Sequence, residues 1–398
     1  MNKIEIKKDI FWVGVVDWNL RTFHGHTYTT KRGSTYNAYL ILDEKITLVD
    51  TVLGSFSGEL IERIREIVPP EKIDYIVVNH VESDHSGSLP ELLKLCPKAK
   101  LFGTAKCKEG LWKHYYENWD FQIVKSGDKL DLGKRNLVFL EAPMIHWPDS
   151  MFTYCPEEKL LLSNDAFGQH YATDSRFDDQ ADQCELMDEV KKYYANILWP
   201  FSTVIGKKIE EIKGLNWAID MIAPSHGLIW RKEPQKVLNA YGQWTKNVVQ
   251  PVAVIVYETM WQSTAKMAQK IAEGCHDAGV DVKLYDIAVT DRTEVITQML
   301  QAGGFLIGSS THDNDMLTNI AGFLDFLKGL KPKNRIVAAF GSYGWAGGAV
   351  KSIEAALKES GAELVEPGLA FQYVPDAAAL KSCYNLGKDF GTKLLAKF

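Results

Sequence analysis

The chain has 398 residues, is 46% hydrophobic and 24% charged, and carries a formal net charge of −6. That length accommodates two or three domains, each able to bury a sizeable core. The acidic balance argues for no nucleic acid partner, since phosphate binding needs a basic surface. The N-terminus alternates charged and apolar residues without a signal-like apolar run, and no apolar run is long enough to span a bilayer as a helix. The expectation is a cytoplasmic protein with no membrane partner.

Residues 1–250 read as a β-rich α/β region. Short apolar runs recur at 10–16, 36–42, 46–52, 73–78, 137–140, 151–154 and 159–162, most of them bounded by Gly, Asp, Asn or Pro. Helical patterns fall at 58–67, 89–95, 184–196 and 207–217. An amphipathic helix near 234–250 ends in a Val-Val-Gln-Pro break, and the character then changes. Residues 252–257 form a continuous β-branched run of the kind a buried parallel strand needs. Helices at 265–278, 294–302, 320–327, 349–360 and 377–395 then alternate with strands at 282–286, 305–308, 336–340 and 364–371. Strict alternation predicts a parallel doubly wound sheet, with a domain boundary between 250 and 251.

Six cysteines, Cys96, Cys107, Cys155, Cys184, Cys275 and Cys383, are scattered and form no C-x-x-C pair. That spacing suits reduced thiols rather than zinc knuckles or a thioredoxin-like motif. A bound metal would draw on His, Asp and Glu. The densest chemistry is Asn79-His80-Val81-Glu82-Ser83-Asp84-His85, directly after the strand pattern at 73–78. In an extended segment residues two apart share a side. His80, Glu82 and Asp84 should therefore converge, with His85 turned away unless Ser86-Gly87-Ser88 bends the chain. His146, Asp165 and His226 stand in later turns containing Pro, Gly or Asn, where sites collect. A lone histidine is usually an ordinary polar side chain, but four potential ligands within six consecutive positions point to a metal.

H-x-E-x-D-H followed by separate His, Asp and His resembles the metallo-β-lactamase superfamily signature, H-x-H-x-D-H, with Glu82 in place of the second histidine. That form is similar to the one in flavodiiron proteins. The resemblance extends to Asp17-Trp18-Asn19, Thr35-Tyr36-Asn37-Ala38-Tyr39-Leu40, His146-Trp147-Pro148-Asp149-Ser150-Met151 and Tyr193-Tyr194-Ala195-Asn196-Ile197. It covers essentially the whole chain. The fold it implies is α/β: an N-terminal metallo-β-lactamase-like αββα sandwich over 1–250, then a C-terminal flavodoxin-like doubly wound parallel sheet over 251–398. It also implies two iron ions, one held by His80, Glu82 and His146, the other by Asp84, His85 and His226, with Asp165 bridging. A carboxylate-rich set of this kind favours iron or manganese over zinc. His24, His26, Trp147 and Tyr194 are candidates to surround the metals, and His24 and Tyr194 are expected to donate hydrogen bonds to metal-bound oxygen.

In the second half, three loops follow strand ends, where open α/β sheets bind ligands. They are Thr259-Met260-Trp261-Gln262-Ser263-Thr264, Ser309-Ser310-Thr311-His312-Asp313-Asn314, and Ser342-Tyr343-Gly344-Trp345-Ala346-Gly347-Gly348. Hydroxyls and backbone N–H groups at a helix start suit a terminal phosphate, and Tyr343 and Trp345 offer rings to a flavin. These loops resemble the flavodoxin half of flavodiiron proteins, which implies FMN. Ser310 and Thr318 stand where that family commonly has Pro. No G-x-G-x-x-G follows a strand, so direct NAD binding is not indicated.

The resemblance implies an oxidoreductase of anaerobes that reduces dioxygen to water, nitric oxide to nitrous oxide, or both, with electrons passed through FMN. It further implies a rubredoxin or a reduced deazaflavin coenzyme as electron donor, and a head-to-tail homodimer or a dimer of dimers. A zinc hydrolase with a fused flavodoxin domain is the alternative, and Glu82 argues against it. An FMN electron carrier with a structural metal domain is a third reading.

Overall fold

The computed structural model describes residues 3–365 and 367–398. The chain divides into two compact units, one of Met1–Tyr193 with Thr203–Gly242, the other of Tyr194–Ser202 with Gln243–Phe398. The division thus falls after Gly242, where the sequence suggests 250/251, and a short insert from the first half joins the second unit. The insert begins where helix Gln183–Tyr193 gives way to the wider turn Tyr194–Leu198, all five of whose residues are buried. Within the second unit the Asn196 amide donates to the carbonyl of Thr293 at 3.2 Å, and the Arg335 guanidinium lies 5.1 Å from the Trp199 ring.

The first unit is built on two mixed sheets. One has seven strands in the order Ile4–Lys7, Ile10–Trp12, Tyr39–Ile41, Thr47–Val49, Tyr75–Val77, Lys100–Gly103, Phe121–Ile123. The other runs in chain order through Lys129–Asp131, Asn136–Glu141, Met151–Cys155, Leu160–Asn164 and Met221–Pro224. Strand periodicity separates two cores. Tyr39, Ile41, Val49 and Val77 pack with Phe139, Met151, Leu160 and Leu162 of the second sheet. Their neighbours Leu40, Leu48 and Ile76 pack instead with Leu60, Ile64, Leu92 and Leu111 of the outer helices.

The pattern expected as one strand at 36–42 is split into Ser34–Tyr36 and Tyr39–Ile41. Asn37 leaves the ladder to hold the loop around His226, donating its side-chain amide to the carbonyls of Pro224 (2.8 Å) and Gly227 (3.0 Å). Helix Ala105–Tyr115 carries only Cys107 and Leu111 as buried residues, too sparse a stripe for the sequence to announce it. It packs closely under the ligand turn, since a Cβ on Gly110 would lie 2.9 Å from the Val81 side chain.

The second unit is a parallel sheet in the order Asp281–Asp286, Gln250–Glu258, Ala302–His312, Ile336–Tyr343, Glu363–Leu364, with Leu369–Gln372 also paired to Ile336–Tyr343 and Asp315–Met316 antiparallel to the end of Ala302–His312. In chain order this is 2-1-3-4-5, whose direction reverses between the first and third strands, the point where such sheets bind ligands. The final helix spans Ala377–Leu395, as its periodicity predicts.

Candidate functional site

In the first unit, four strand ends deliver the candidate ligands. His80 and Glu82 follow Tyr75–Val77, His146 follows Asn136–Glu141, Asp165 follows Leu160–Asn164, and His226 follows Met221–Pro224. The extended segment expected through Asp84 stops at Glu82, where the helical turn Ser83–Ser86 begins. The chain therefore bends three residues before the expected Ser86-Gly87-Ser88, and this swings His85 inward. The Ser86 hydroxyl donates to the carbonyl of Val81 at 2.6 Å and locks the turn.

The ligand atoms fall into two groups, His80, Glu82, His146 and Asp165 in one and Asp84, His85 and His226 in the other, each within 4.8 Å of one another. Asp165 faces both. Its Oδ2 lies 3.3 Å from His146 Nε2 and 3.7 Å from His80 Nε2, and its Oδ1 lies 3.0 Å from His85 Nε2 and 3.5 Å from His226 Nε2. Both carboxylate oxygens of Asp84 and of Asp165, and both nitrogens of His85, are buried without a hydrogen-bond partner. The 3.0 Å approach of His85 to Asp165 lacks hydrogen-bond alignment. Buried carboxylates without donors are costly, and cations between them remove that cost. The donor set of three carboxylates and four imidazoles therefore fits a pair of iron ions.

The electrostatics agree. Burial pushes the Glu82 pKa up, but hydrogen bonds from His146, His24 and His80 outweigh it and hold the carboxyl below its ordinary range. Burial likewise opposes ionisation of Asp165, and the proximity of the His85, His146 and His80 imidazoles drives its pKa well down. Burial lowers the His85 pKa, yet Asp84 and Asp165 raise it to about 9. The cluster is built to keep Glu82 and Asp165 ionised and to accept positive charge.

Three surrounding residues carry no assignment from sequence. Asp149, 2% exposed, lies 3.2 and 3.1 Å from His80 Nδ1 through its two oxygens and accepts the Val81 N–H at 2.8 Å. His170 is buried, with Nδ1 2.7 Å from Ser34 Oγ and its ring 4.7 Å from that of His226. Burial, followed by the neighbouring His226 and His24, drives its pKa well down, so it is neutral. Tyr193 places its ring 5.2 Å from His170 and 6.2 Å from His226. The Tyr194 hydroxyl pairs instead with Ser202 Oγ at 2.8 Å. The turn that opens at Tyr194 gives the two consecutive tyrosines different partners, His170 and His226 for the Tyr193 ring and Ser202 for the Tyr194 hydroxyl. His24 lies at the exposed mouth with Nε2 3.1 Å from Glu82 Oε1, and the Trp147 ring packs edge-on 5.0 Å from His80.

In the second unit, a cavity of about 520 Å³ is lined by Met260, Trp261, Ser263, Ser310, Thr311, His312, Asp313, Asn314, Ser342, Tyr343, Gly344 and Trp345, joined by Ala346, Tyr373 and Val374. All three loops singled out in the sequence contribute, and the volume suits a small cofactor. Tyr373 and Val374 follow the strand Leu369–Gln372, and their loop bears no phosphate or glycine signature to find it by. The other candidates stand beside the lining. Thr264 Oγ1 meets Ser310 Oγ at 3.0 Å and Ser342 Oγ at 2.9 Å. The Ser309 hydroxyl accepts the Leu317 N–H at 2.9 Å. Gln262 has φ +67° before helix Ser263–Asp277, the Thr259 hydroxyl is buried without a hydrogen-bond partner, and a Cβ on Gly347 would touch the Tyr343 ring at 3.3 Å. A Cβ on Gly348 would lie 1.7 Å from the Asn314 carbonyl, so this glycine lets two of the loops meet.

Residues 35–227 match the ODP family beta lactamase model and residues 255–387 the flavodoxin model. A nitric oxide reductase of Moorella thermoacetica is 51% identical over 98% of this chain and 98% of its own length. A rubredoxin oxygen:oxidoreductase of Desulfovibrio gigas superposes with a TM-score of 0.97 at 37% identity, over 100% of this chain and 99% of that one. A flavodiiron protein of Giardia intestinalis gives 0.95 at 36% identity, over 100% and 97%. The chain belongs to the flavodiiron protein family. As a flavodiiron oxidoreductase it carries FMN on its flavodoxin half and a non-haem diiron centre on its β-lactamase-like half. The hydrolase alternative is not favoured, since the relatives are reductases. Among the described residues of this flavodiiron chain, no helix is long and apolar enough to cross a membrane.

Proposed function

We propose that this flavodiiron protein reduces nitric oxide to nitrous oxide and dioxygen to water, with His80, Glu82 and His146 holding one iron, Asp84, His85 and His226 the other, and Asp165 between them. The observation that carries this reading is the pair of buried, hydrogen-bond-free Asp165 oxygens, one turned to each ligand group. When bound, the iron pair supplies electrons and open coordination positions to a diatomic gas, and FMN replenishes the electrons. The protein's own part is positional. Asp165 fixes the two groups relative to each other, and His24 steadies Glu82 at the mouth of the site. In the second unit, Ser263, Ser310 and Ser342 offer hydroxyls to the phosphate end of FMN, and Tyr343, Trp345 and Trp261 offer rings to its flavin end.

Electrons enter from a rubredoxin-type protein or a reduced deazaflavin coenzyme. The protein acts in the cytoplasm of an anaerobe as a head-to-tail homodimer or dimer of dimers. Trp261 and Trp345, 85% and 90% exposed at the rim of the flavin cavity, are apolar surface of the kind a partner covers. Sedimentation of an active species at monomer mass would exclude the dimer.

Asp165→Asn tests the central reading. Iron per chain is measured by elemental analysis, FMN by absorbance, and gas consumption under anaerobic reduction. Iron should fall with FMN retained, and turnover should drop by ~100-fold or more, as expected when reacting groups lose their placement. A variant with full iron and undiminished gas consumption would falsify the assignment.

A further inference from the structure

His80 of the first ligand group differs from His85 and His226 of the second in what stands behind its imidazole. A histidine that binds metal through Nε2 is oriented by whatever its Nδ1–H donates to. Behind His80 stands a carboxylate, with both oxygens of Asp149 within 3.2 Å of Nδ1. Behind His226 stands a neutral carbonyl, the Thr35 oxygen, which accepts from Nδ1 at 2.7 Å. Behind His85 stands nothing, and its Nδ1 is buried without a hydrogen-bond partner. Either acceptor fixes the tautomer and pushes electron density toward Nε2, and a carboxylate, being charged, does so more strongly than a neutral carbonyl.

Asp149 is itself held at two further points. Oδ2 accepts the Val81 N–H at 2.8 Å, so it grips the backbone between His80 and Glu82. Its carbonyl accepts the Thr104 hydroxyl at 3.0 Å. Thr104 in turn caps helix Ala105–Tyr115 by accepting the Cys107 N–H at 3.0 Å. Asp149 also lies three residues after His146, on the same loop. One loop thus supplies a ligand to the first group and the group that orients another of its ligands.

We infer that Asp149 is a positioning residue that makes the two metal positions unequal, so that the one framed by His80, Glu82 and His146 fills first and holds its ion more tightly. This rests on the ligand assignment proposed above. The position framed by Asp84, His85 and His226 has one carbonyl-backed imidazole and one with no backing, and is the weaker of the two.

The test is an anaerobic titration of the metal-free, full-length protein with Co²⁺, read by its visible absorption and by bound metal per chain. Wild type should fill in two resolved steps. Asp84→Asn should weaken the second and so identify it. Asp149→Asn should weaken the first step by ~10–100-fold, as loss of a ligand's orienting partner does, and leave the second nearly unmoved. Asp149→Glu, which keeps the carboxylate, should recover part of the loss and serves if the Asn variant folds poorly. Equal weakening of both steps, or of neither, would overturn the inference while leaving the ligand set intact. Fewer than two Co²⁺ per wild-type chain would instead sink the ligand assignment, and the role of Asp149 with it.

Discussion

Gly87→Ala tests how the ligand turn is built. Gly87 closes the turn that carries Asp84 and His85, and its φ of −61° is open to any residue, so the issue is space. A Cβ there would sit 2.3 Å from the Ser83 carbonyl oxygen and 2.6 Å from the Gly54 nitrogen, both backbone atoms. Neither can rotate aside, so the Gly54 segment and the turn must part. Forced overpacking of this kind costs about 1–3 kcal/mol. Gly58 is the control. It lies in helix Ser57–Arg65 with nothing within 4 Å of its would-be Cβ. There the same substitution should stabilise by about 0.5–1 kcal/mol, through helix propensity and a less flexible unfolded chain. Thermal unfolding should therefore move in opposite directions for the two variants. A displaced turn should also strip iron from the position framed by Asp84, His85 and His226, leaving FMN at its wild-type level. If Gly87→Ala unfolds later than wild type and keeps all its iron, the packing argument is wrong.

Gly348→Ala should do the converse, because its Cβ would collide with the Asn314 carbonyl between two flavin loops; flavin absorbance per chain should fall while iron by elemental analysis stays constant. Tyr194→Phe should cost about 1 kcal/mol for the lost Ser202 hydrogen bond and leave iron and gas turnover unchanged, so a tenfold fall in turnover would return Tyr194 to the metals. The metal-free protein should lose stability as pH rises. The folded pKa of His85 is raised to about 9, above an unfolded value near ~6.5. Its contribution is complete below the unfolded value and is lost as pH rises through the folded one. Unfolding midpoints from about pH 6 to 10 should show this decline, and loading both metals should remove it, since bound metal displaces the proton.

Much of this was legible because it is local. A parallel strand buried on both faces needs a continuous β-branched run, and 252–257 has one inside the observed Gln250–Glu258. The final helix and Leu89–Leu95 follow from periodicity alone. Helix Ala105–Tyr115 and the edge strands Phe121–Ile123 and Lys129–Asp131 are not legible in the sequence, since they bury few side chains and leave little pattern. The metal candidates were legible because four potential ligands crowd six positions, a chemical signal independent of fold.

The identities of the candidate ligands, the alternation that makes a doubly wound sheet and the three loops at its strand ends are properties of the chain as written, fixed by residue type and spacing. Tertiary structure decided three other things. It chose where the ligand segment bends, because the close approach of Gly54 and the Ser86 hydrogen bond start the turn at Ser83. It chose which of two adjacent tyrosines meets His226, because one wider turn reorients them. It also set Asp149 behind His80 across 69 positions of sequence. Hydrogen bonds between distant segments depend on a packing that brings them within 3 Å or so, and local spacing carries no record of that.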